Sequence, residues 1–171
     1  MSRRGLCAAL LLPLFGCGFS PVYAPAAGGA PSSNLAHVFV AVIPNRPGQE
    51  LRQALQIRLE GAGASTAKRY TLVVGYGISA EAIGIQADSS SSFTRFKATA
   101  NWSLLGAVPG TPPLATGIAI AQDGFSTIVN QYFYSDLYND TIYRRMADNI
   151  ADQIVLRLAV YFRDKAKLAE Q

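Results

Sequence analysis

The chain has 171 residues, with 15 basic and 11 acidic side chains and a formal net charge of +4 at pH 7. This excess is too small to indicate nucleic-acid binding by the chain as a whole. The length is sufficient for one domain with its own hydrophobic core. Cysteine occurs twice and histidine once, which excludes a disulfide-rich scaffold and argues against a zinc site.

Residues 1–16 have the layout of a bacterial secretory signal. Two arginines precede a short apolar run from Leu6 to Leu14, which is shorter than the roughly 20 apolar residues needed to span a bilayer. The run leads into Leu14-Phe15-Gly16-Cys17, which resembles a lipobox, the site where signal peptidase II cuts before the cysteine. We expect this cut and a covalent N-acyl diacylglycerol group on Cys17. Phe15 is bulkier than the usual residue of that pattern, and an ordinary signal peptide cut after Ala24 is the alternative.

Residues 17–35 are expected to form a lipidated, flexible tether, because Pro21, Pro25 and Pro31 interrupt Ala, Gly and Ser without an apolar period. An anchor with more than one acyl chain holds a domain at a membrane surface without a transmembrane helix. Glycine, and not aspartate, follows Cys17. By the sorting rule known in some bacteria, this favours delivery to the outer membrane.

The remaining residues, 36–171, are expected to form one domain. The segment Val38–Ile43 is apolar on both faces, which predicts a strand inside a sheet rather than at its edge. Asn45–Gly48 predicts a turn. Leucine then recurs at every fourth position up to Leu59, which predicts an amphipathic helix that ends at Gly61.

Three further strands are predicted. Arg69–Ile78 alternates between large apolar side chains and mostly small or polar ones, and it could continue to Ile85 past a bulge. Phe93–Leu104 alternates strictly, which is typical of an antiparallel strand with one buried face. Ala115–Ala121 is the predicted returning strand, and Gly124 is interpreted as the site of a β-bulge.

The last predicted element is a long amphipathic helix from about Ser135 to Phe162, in which Ile, Met or Leu recurs every fourth residue from Ile142 to Leu158. Asp140 and Arg144 have the spacing of an ion pair within this helix. The order β-α-β-β-β-α predicts an α+β two-layer sandwich. Its layers would be a four-stranded, mostly antiparallel sheet and two helices on one face of that sheet.

The sequence contains no arrangement typical of an enzyme, and none is predicted. His37, the single histidine, is accompanied neither by a Gly-x-Ser-x-Gly elbow nor by a set of zinc ligands. We interpret it as a residue at the end of a strand. Asp148 and Asp152 share a helix face and are expected to be solvated rather than catalytic. A secreted hydrolase is retained only as an alternative, and no metal or cofactor is predicted apart from the lipid on Cys17.

Arg95 and Lys97 are the candidate binding residues. They lie two residues apart on the predicted exposed side of a strand, where two cations could together bind phosphates or carboxylates. The alternative is that they only keep one face of the sheet soluble. An aromatic cluster near the last helix is interpreted as core rather than as a partner surface, and it comprises Phe125, Tyr132, Phe133, Tyr134, Tyr138 and Tyr143.

The sequence resembles the LptE-type lipopolysaccharide-assembly lipoproteins, in the form seen in α-proteobacteria. The similarity is carried by Cys17-Gly18-Phe19-Ser20-Pro21-Val22-Tyr23, by Ile43-Pro44-Asn45-Arg46 ahead of the first helix, and by the run from Tyr143 to Ile154. The order of the elements also agrees over the whole mature chain.

The resemblance implies an outer-membrane lipoprotein that sits inside an LptD-type β-barrel translocon. There it would plug the pore, help the barrel to assemble and bind lipopolysaccharide on its way to the cell surface. In the family, basic residues on the sheet side are linked to lipopolysaccharide binding, and Arg95 and Lys97 occupy a suitable strand. The alternative function is that of a periplasmic auxiliary lipoprotein of a transport ATPase, with a similar tether and a similar small domain.

Overall fold

The computed structural model describes residues 34–60, 67–85, 91–108, 110–126 and 135–169. The elements follow in the predicted order and are β1 (Val38–Val40), α1 (Arg46–Glu60), β2 (Tyr70–Ile85), β3 (Ser91–Leu105), β4 (Ala115–Ser126) and α2 (Ser135–Ala169). The predicted signal, tether and lipid-bearing Cys17 lie outside the described residues.

The four strands form one sheet in the order β1-β2-β3-β4. β1 pairs parallel with β2, because α1 carries the chain back along the sheet between them. β2, β3 and β4 pair antiparallel with their neighbours in sequence. The predicted α+β fold with a mostly antiparallel four-stranded sheet is confirmed.

The hydrophobic core lies between one face of the sheet and the two helices. The strict alternation predicted for β3 is confirmed, since Phe96, Ala98, Ala100, Trp102 and Leu104 are all buried. The four-residue period predicted for α2 is also confirmed. The largest fully buried side chains are Ile43, Leu51, Leu55, Leu59, Leu72, Leu104, Ile142, Met146, Ile150, Ile154, Leu158 and Phe162.

The prediction that the first strand lies inside the sheet is wrong, because β1 is an edge strand. Its apolar residues do not all face the core: Val38 and Val40 are buried, but Phe39 is 42% exposed on the opposite face. The edge is partly covered by α1, since Arg52 Nε donates to the carbonyl of Val40 at 3.3 Å.

The first helix begins earlier than predicted, at Arg46 and not after Gly48. Pro47 is tolerated there because the first turn of a helix leaves its N–H groups unpaired in any case. Asn45 precedes the helix with a φ of 67°, a left-handed conformation that asparagine adopts more readily than most residues. Its carbonyl accepts the first helical hydrogen bond, from Gln49 N at 3.0 Å.

The predicted bulges are absent from the described residues. β2 pairs with β3 in one constant register from Thr71 to Ile85, and β3 pairs with β4 in one register up to Ser126. Glycine occupies position 124 for a different reason. A Cβ there would lie 2.6 Å from the carbonyl oxygen of Thr94 and 2.7 Å from the ring of Phe93. The glycine therefore makes room for its neighbours without breaking the ladder.

Ion pairs join the two helices side by side. Arg58 Nε contacts Asp152 at 2.6 Å, and its Nη1 contacts Asp148 at 3.1 Å. The hydrogen bond to Asp152 is the main reason that the pKa of Arg58 lies above its ordinary value. Both carboxylates are solvent-exposed, as expected, and in addition they bind Arg58. Asp140 contacts Arg46 of α1 at 3.0 Å, a partner that the spacing within α2 did not predict.

The β4 edge of the sheet is covered by α2. Gln153 Nε2 donates to the carbonyl of Ile120 at 2.9 Å, and Arg157 Nη1 donates to the carbonyl of Ile118 at 2.8 Å. An uncovered edge strand offers such groups to other chains. The close approach is possible because the inner face of β4 carries only small residues, Ala115, Gly117, Ala119 and Ala121.

We predict that Gly117→Ala destabilises the domain by about 1–3 kcal/mol, as overpacking of a core commonly does. A Cβ at Gly117 would lie 2.8 Å from Cζ2 of Trp102, whose indole crosses this position. The matched control is Gly77→Ala, on the opposite face of the sheet, where nothing lies within 4 Å of the added carbon. The control should remain within about 1 kcal/mol of wild type. Urea denaturation measures both, and equal stabilities for the two variants would refute the packing argument.

Candidate functional site

The outer sheet face, defined as the side of the sheet turned away from the helices, carries both candidate cations. Arg95 and Lys97 are exposed there, as predicted from the alternation of β3. In register, Lys97 lies between Ser79 of β2 and Gln122 of β4. Residues two apart on a strand project from the same face, and at about 3.3 Å per residue their Cα atoms are roughly 7 Å apart. The two side chains can therefore reach two phosphate oxygens or two groups of one headgroup.

The surroundings of the two cations are unequal. Arg95 lies in register between Glu81 and Gly124, so one carboxylate partly balances its charge and no side chain stands on its other side. Lys97 has no acidic neighbour in register. The pair therefore presents a net positive charge that is open on the Lys97 side.

The two cations differ from most other basic side chains in having no structural role among the described residues. Seven others bind a carboxylate or a backbone carbonyl there: Arg46, Arg52, Arg58, Lys68, Arg145, Arg157 and Arg163. Lys165 lies over the ring of Tyr70. No ion pair between described residues includes Arg95 or Lys97. Both are thus available to a ligand as far as the described part of the chain shows.

In the middle of the outer sheet face, exposed backbone lies beside apolar side chains. Gly75 and Gly77 of β2 leave bare backbone beside Asn101 and Thr99 of β3. The next strand in the same rows carries apolar side chains that are half exposed, Ile118 at 53% and Ile120 at 45%. This combination offers both exposed backbone and apolar side chains to a partner.

The sheet has two ends, a basal end and a distal end. The basal end is where β1 and β2 begin, and the distal end is opposite. Arg95 faces Glu81, which is eleven residues beyond Tyr70 in β2. At about 3.3 Å per residue, the candidate cations lie roughly 35 Å from the basal end.

A cavity of about 390 Å³ opens between α1, α2 and the inner face of the sheet. Its lining includes Tyr76, Phe96 and Tyr143, together with the turn that contains Asn45. Phe96 and Tyr143 pack edge to face, with ring centroids 5.8 Å apart. Tyr143 is thus half-buried against the core, which agrees with the interpretation of the aromatic cluster as core. The structure does not describe the other side chains of that cluster.

Sequence reasoning missed two buried polar atoms, one of them in the lining of this cavity. The hydroxyl of Tyr76, which lines it, and the Oε2 of nearby Glu50 have no hydrogen-bond partner among the described residues. Burial, followed by the nearby Glu50 and Tyr143, raises the pKa of Tyr76 to about 12, so this hydroxyl is neutral and can donate at neutral pH. The available signal was a tyrosine on the apolar side of an alternating strand, where its polar tip needs a partner.

The remaining residues singled out by the sequence have structural positions. His37 immediately precedes β1, as interpreted, and its Nδ1 donates to the carbonyl of Ala67 at 2.6 Å. Among the described residues, no three His, Cys, Asp or Glu side chains are grouped so that they could hold a metal ion. Within the same part of the chain, no helix combines the length and the apolar character needed to cross a membrane.

Solved structures share this fold. A lipoprotein of Caulobacter crescentus matches with a TM-score of 0.61 and 21% identity, covering 79% of this chain and 96% of the other. A minor lipoprotein of Acinetobacter baumannii matches with a TM-score of 0.59 and 13% identity, covering 73% and 92% respectively. The rare lipoprotein B of Shewanella oneidensis matches at 0.53 and 10%, covering 77% and 96%.

Sequence comparison identifies the family. No curated protein sequence matches the chain. The family model for LptE, described as lipopolysaccharide-assembly, matches residues 35–158, which is well over half of the chain and extends from the turn before β1 to the core-facing part of α2. The chain therefore belongs to the LptE lipopolysaccharide-assembly family of lipoproteins.

Proposed function

We propose that this protein is an outer-membrane lipoprotein, anchored through lipid on Cys17, that plugs and helps to assemble an LptD-type β-barrel translocon. In this role it binds lipopolysaccharide on its way to the cell surface. The observation that carries the proposal is membership of the lipopolysaccharide-assembly family. The open outer sheet face, with two cations that have no partner among the described residues, supplies a surface for the lipopolysaccharide step.

The length of the domain suits a position inside a membrane-embedded barrel. The chain enters the described fold at the basal end, through the helical turn at 34–36 that precedes β1. A lipid on Cys17 would hold this end at the periplasmic leaflet. Arg95 and Lys97, roughly 35 Å away along the strands, would then lie about one hydrocarbon thickness further into the barrel, since that thickness is about 30 Å.

The width of the domain restricts the barrel that could contain it. Four strands about 4.8 Å apart, backed by a helix layer about 10 Å from the sheet, give a cross-section of roughly 20 Å in each direction. Barrels of eight strands are filled by their own side chains, and only those of about 20 strands or more enclose a plug of this size. The proposal therefore requires a large barrel as the partner.

The chemistry of the site concerns binding alone. Lipopolysaccharide carries phosphate groups that divalent cations bridge, and a guanidinium beside an ammonium can replace such a bridge with charge-assisted hydrogen bonds. Binding at Arg95 and Lys97 would separate individual molecules from their aggregates. The half-exposed Ile118 and Ile120 on the same face can contact acyl chains or the barrel wall.

We predict that Arg95→Ala combined with Lys97→Ala lowers the affinity for purified lipopolysaccharide about tenfold or more, because each cation makes charge-assisted contacts to phosphate. The matched control is Arg144→Ala with Arg145→Ala, which removes the same charge from exposed positions of α2. The control should bind within about twofold of wild type. Fluorescence anisotropy with labelled lipopolysaccharide measures both, and equal affinities for the two double variants would remove Arg95 and Lys97 from the site.

A separate prediction concerns the anchor. Replacing Cys17 by Ser should abolish incorporation of a labelled fatty acid, because the acyl chains of the predicted anchor are attached at this residue. Cys7→Ser is the control, since the only other cysteine lies within the predicted signal and should not affect labelling. Mass spectrometry of the mature N-terminus decides between the alternatives: an unmodified chain that begins at Pro25 would show an ordinary signal peptide.

A further inference from the structure

We infer that the basal end of the domain is a membrane-facing surface that binds a bilayer containing anionic phospholipids. The inference rests on the proposed lipid anchor at Cys17, because that anchor brings this end to the bilayer. It extends the proposed function from the tether to the folded domain, and it assigns the occupant of a surface that has no role in lipopolysaccharide binding.

The segment that follows the predicted tether enters the fold at the basal end. Lys68 Nζ donates to the carbonyl of Ala36 at 3.0 Å, and the backbone N–H of Arg69 donates to the carbonyl of His37 at 2.9 Å. The chain that continues toward Cys17 therefore leaves the described fold directly beside two basic residues.

The end of α2 reaches the same place. The ring of Phe162 packs against that of Tyr70 with centroids 5.0 Å apart, and Lys165 Nζ lies 5.7 Å from the centroid of Tyr70. Beyond Phe162 the helix continues to Ala169, and most of its side chains there are exposed. Its last two turns therefore project from the basal end with Lys167 exposed to solvent.

The charges at this end are unbalanced. Its five basic side chains are Lys68, Arg69, Arg163, Lys165 and Lys167. Two acidic ones accompany them, and each has a basic partner: Glu60 contacts Lys68 at 3.0 Å and Asp164 contacts Arg163 at 3.2 Å. Arg69, Lys165 and Lys167 have no carboxylate partner among the described residues. Glu170, which follows in sequence, lies outside them.

Exposed apolar side chains accompany the cations. Leu168 is 74% exposed in the last turn of α2. Val108, 65% exposed, follows the end of β3, which pairs with the start of β2 and so belongs to the basal end. Leu114, 38% exposed, closes the same connection, because its N–H donates to the carbonyl of Leu104 at 2.8 Å.

This combination matches the surface of an anionic bilayer better than it matches a small anion. Each Lys or Arg near such a surface strengthens binding about fivefold, and stable attachment of a lipid-anchored protein commonly uses a basic patch as a second signal. Isolated apolar side chains among the cations can enter the interface between headgroups and acyl chains. The attachment would hold the free lipoprotein against the periplasmic leaflet before a barrel encloses it, with the anchor and the basal end at the same membrane surface.

The test uses the mature chain from residue 17 onward, with Cys17→Ser in every variant, so that neither a lipid nor the apolar signal of residues 1–16 contributes. Arg69→Gln with Lys167→Gln should lower partitioning onto vesicles of phosphatidylethanolamine and phosphatidylglycerol by about 10- to 30-fold. The matched control, Arg144→Gln with Arg145→Gln at exposed positions of α2 away from the basal end, should change it less than about twofold. The difference should vanish at high salt. Equal losses in both double variants, or none in either, would overturn the inference.

A second measurement reports which end meets the bilayer even if the N-terminal segment dominates partitioning. Leu168→Trp should give a blue-shifted emission that brominated acyl chains quench, whereas Ala82→Trp, at an exposed residue near the distal end of β2, should not. The emission of Trp102 is common to both variants. Quenching of Ala82→Trp alone, or of neither reporter, contradicts a membrane-facing basal end.

Two further arms separate the sources of phosphate. Inorganic phosphate at constant ionic strength should not displace the protein from vesicles, and displacement would show a discrete anion site instead of a bilayer surface. The vesicles contain neither a barrel nor lipopolysaccharide. Failure of lipopolysaccharide binding at Arg95 and Lys97 would therefore leave this result unchanged, and failure here would leave that function unchanged.

Discussion

The packing of α2 along β4 is the constraint on which the rest of the structure depends. Gly117 and the alanines on either side of it bring the helix close enough for Arg157 and Gln153 to satisfy the carbonyls of the edge strand. The same contact commits both helices to one face of the sheet. The opposite face is left open along the described strands, and the candidate binding residues lie there because β3 alternates strictly.

The role of each charged residue follows from its place in the fold and not from its place in the sequence. Cations in the helical layer, such as Arg58, are used in ion pairs between α1 and α2 and hold the two helices in parallel alignment. The cations without such partners occur mainly at the two ends of the sheet: Arg95 and Lys97 toward the distal end, and Arg69 and Lys167 at the basal end. A net charge of only +4 for the whole chain conceals this separation. This separation suits two successive steps, because the basal end would meet the anchoring membrane before assembly and the distal cations would meet lipopolysaccharide inside the barrel.

The sequence predicts local patterns well and non-local contacts poorly. Alternation in β3 and the four-residue period of α2 establish which side chains are buried, because burial on one face leaves a period in the sequence. The sequence does not reveal that β1 lies at the edge, since strand order depends on pairing between distant segments. The ion pairs of Arg58 with Asp152 and of Arg46 with Asp140 each join residues 94 positions apart, and no local spacing indicates them. The exposure of Arg95 and Lys97 followed from alternation, whereas their lack of a partner among the described residues, and the unsatisfied hydroxyl of Tyr76, became visible only in the fold.

The central claim, that this domain is the plug of a large barrel, is tested most directly by affinity purification of the tagged full-length protein from detergent-solubilised outer membranes. The account predicts a one-to-one complex with a large β-barrel protein that survives mild heating in detergent, as expected when a folded domain is enclosed by a closed sheet. A monomeric protein, or one that copurifies with an inner-membrane transport ATPase, would contradict the account and favour an auxiliary role in transport.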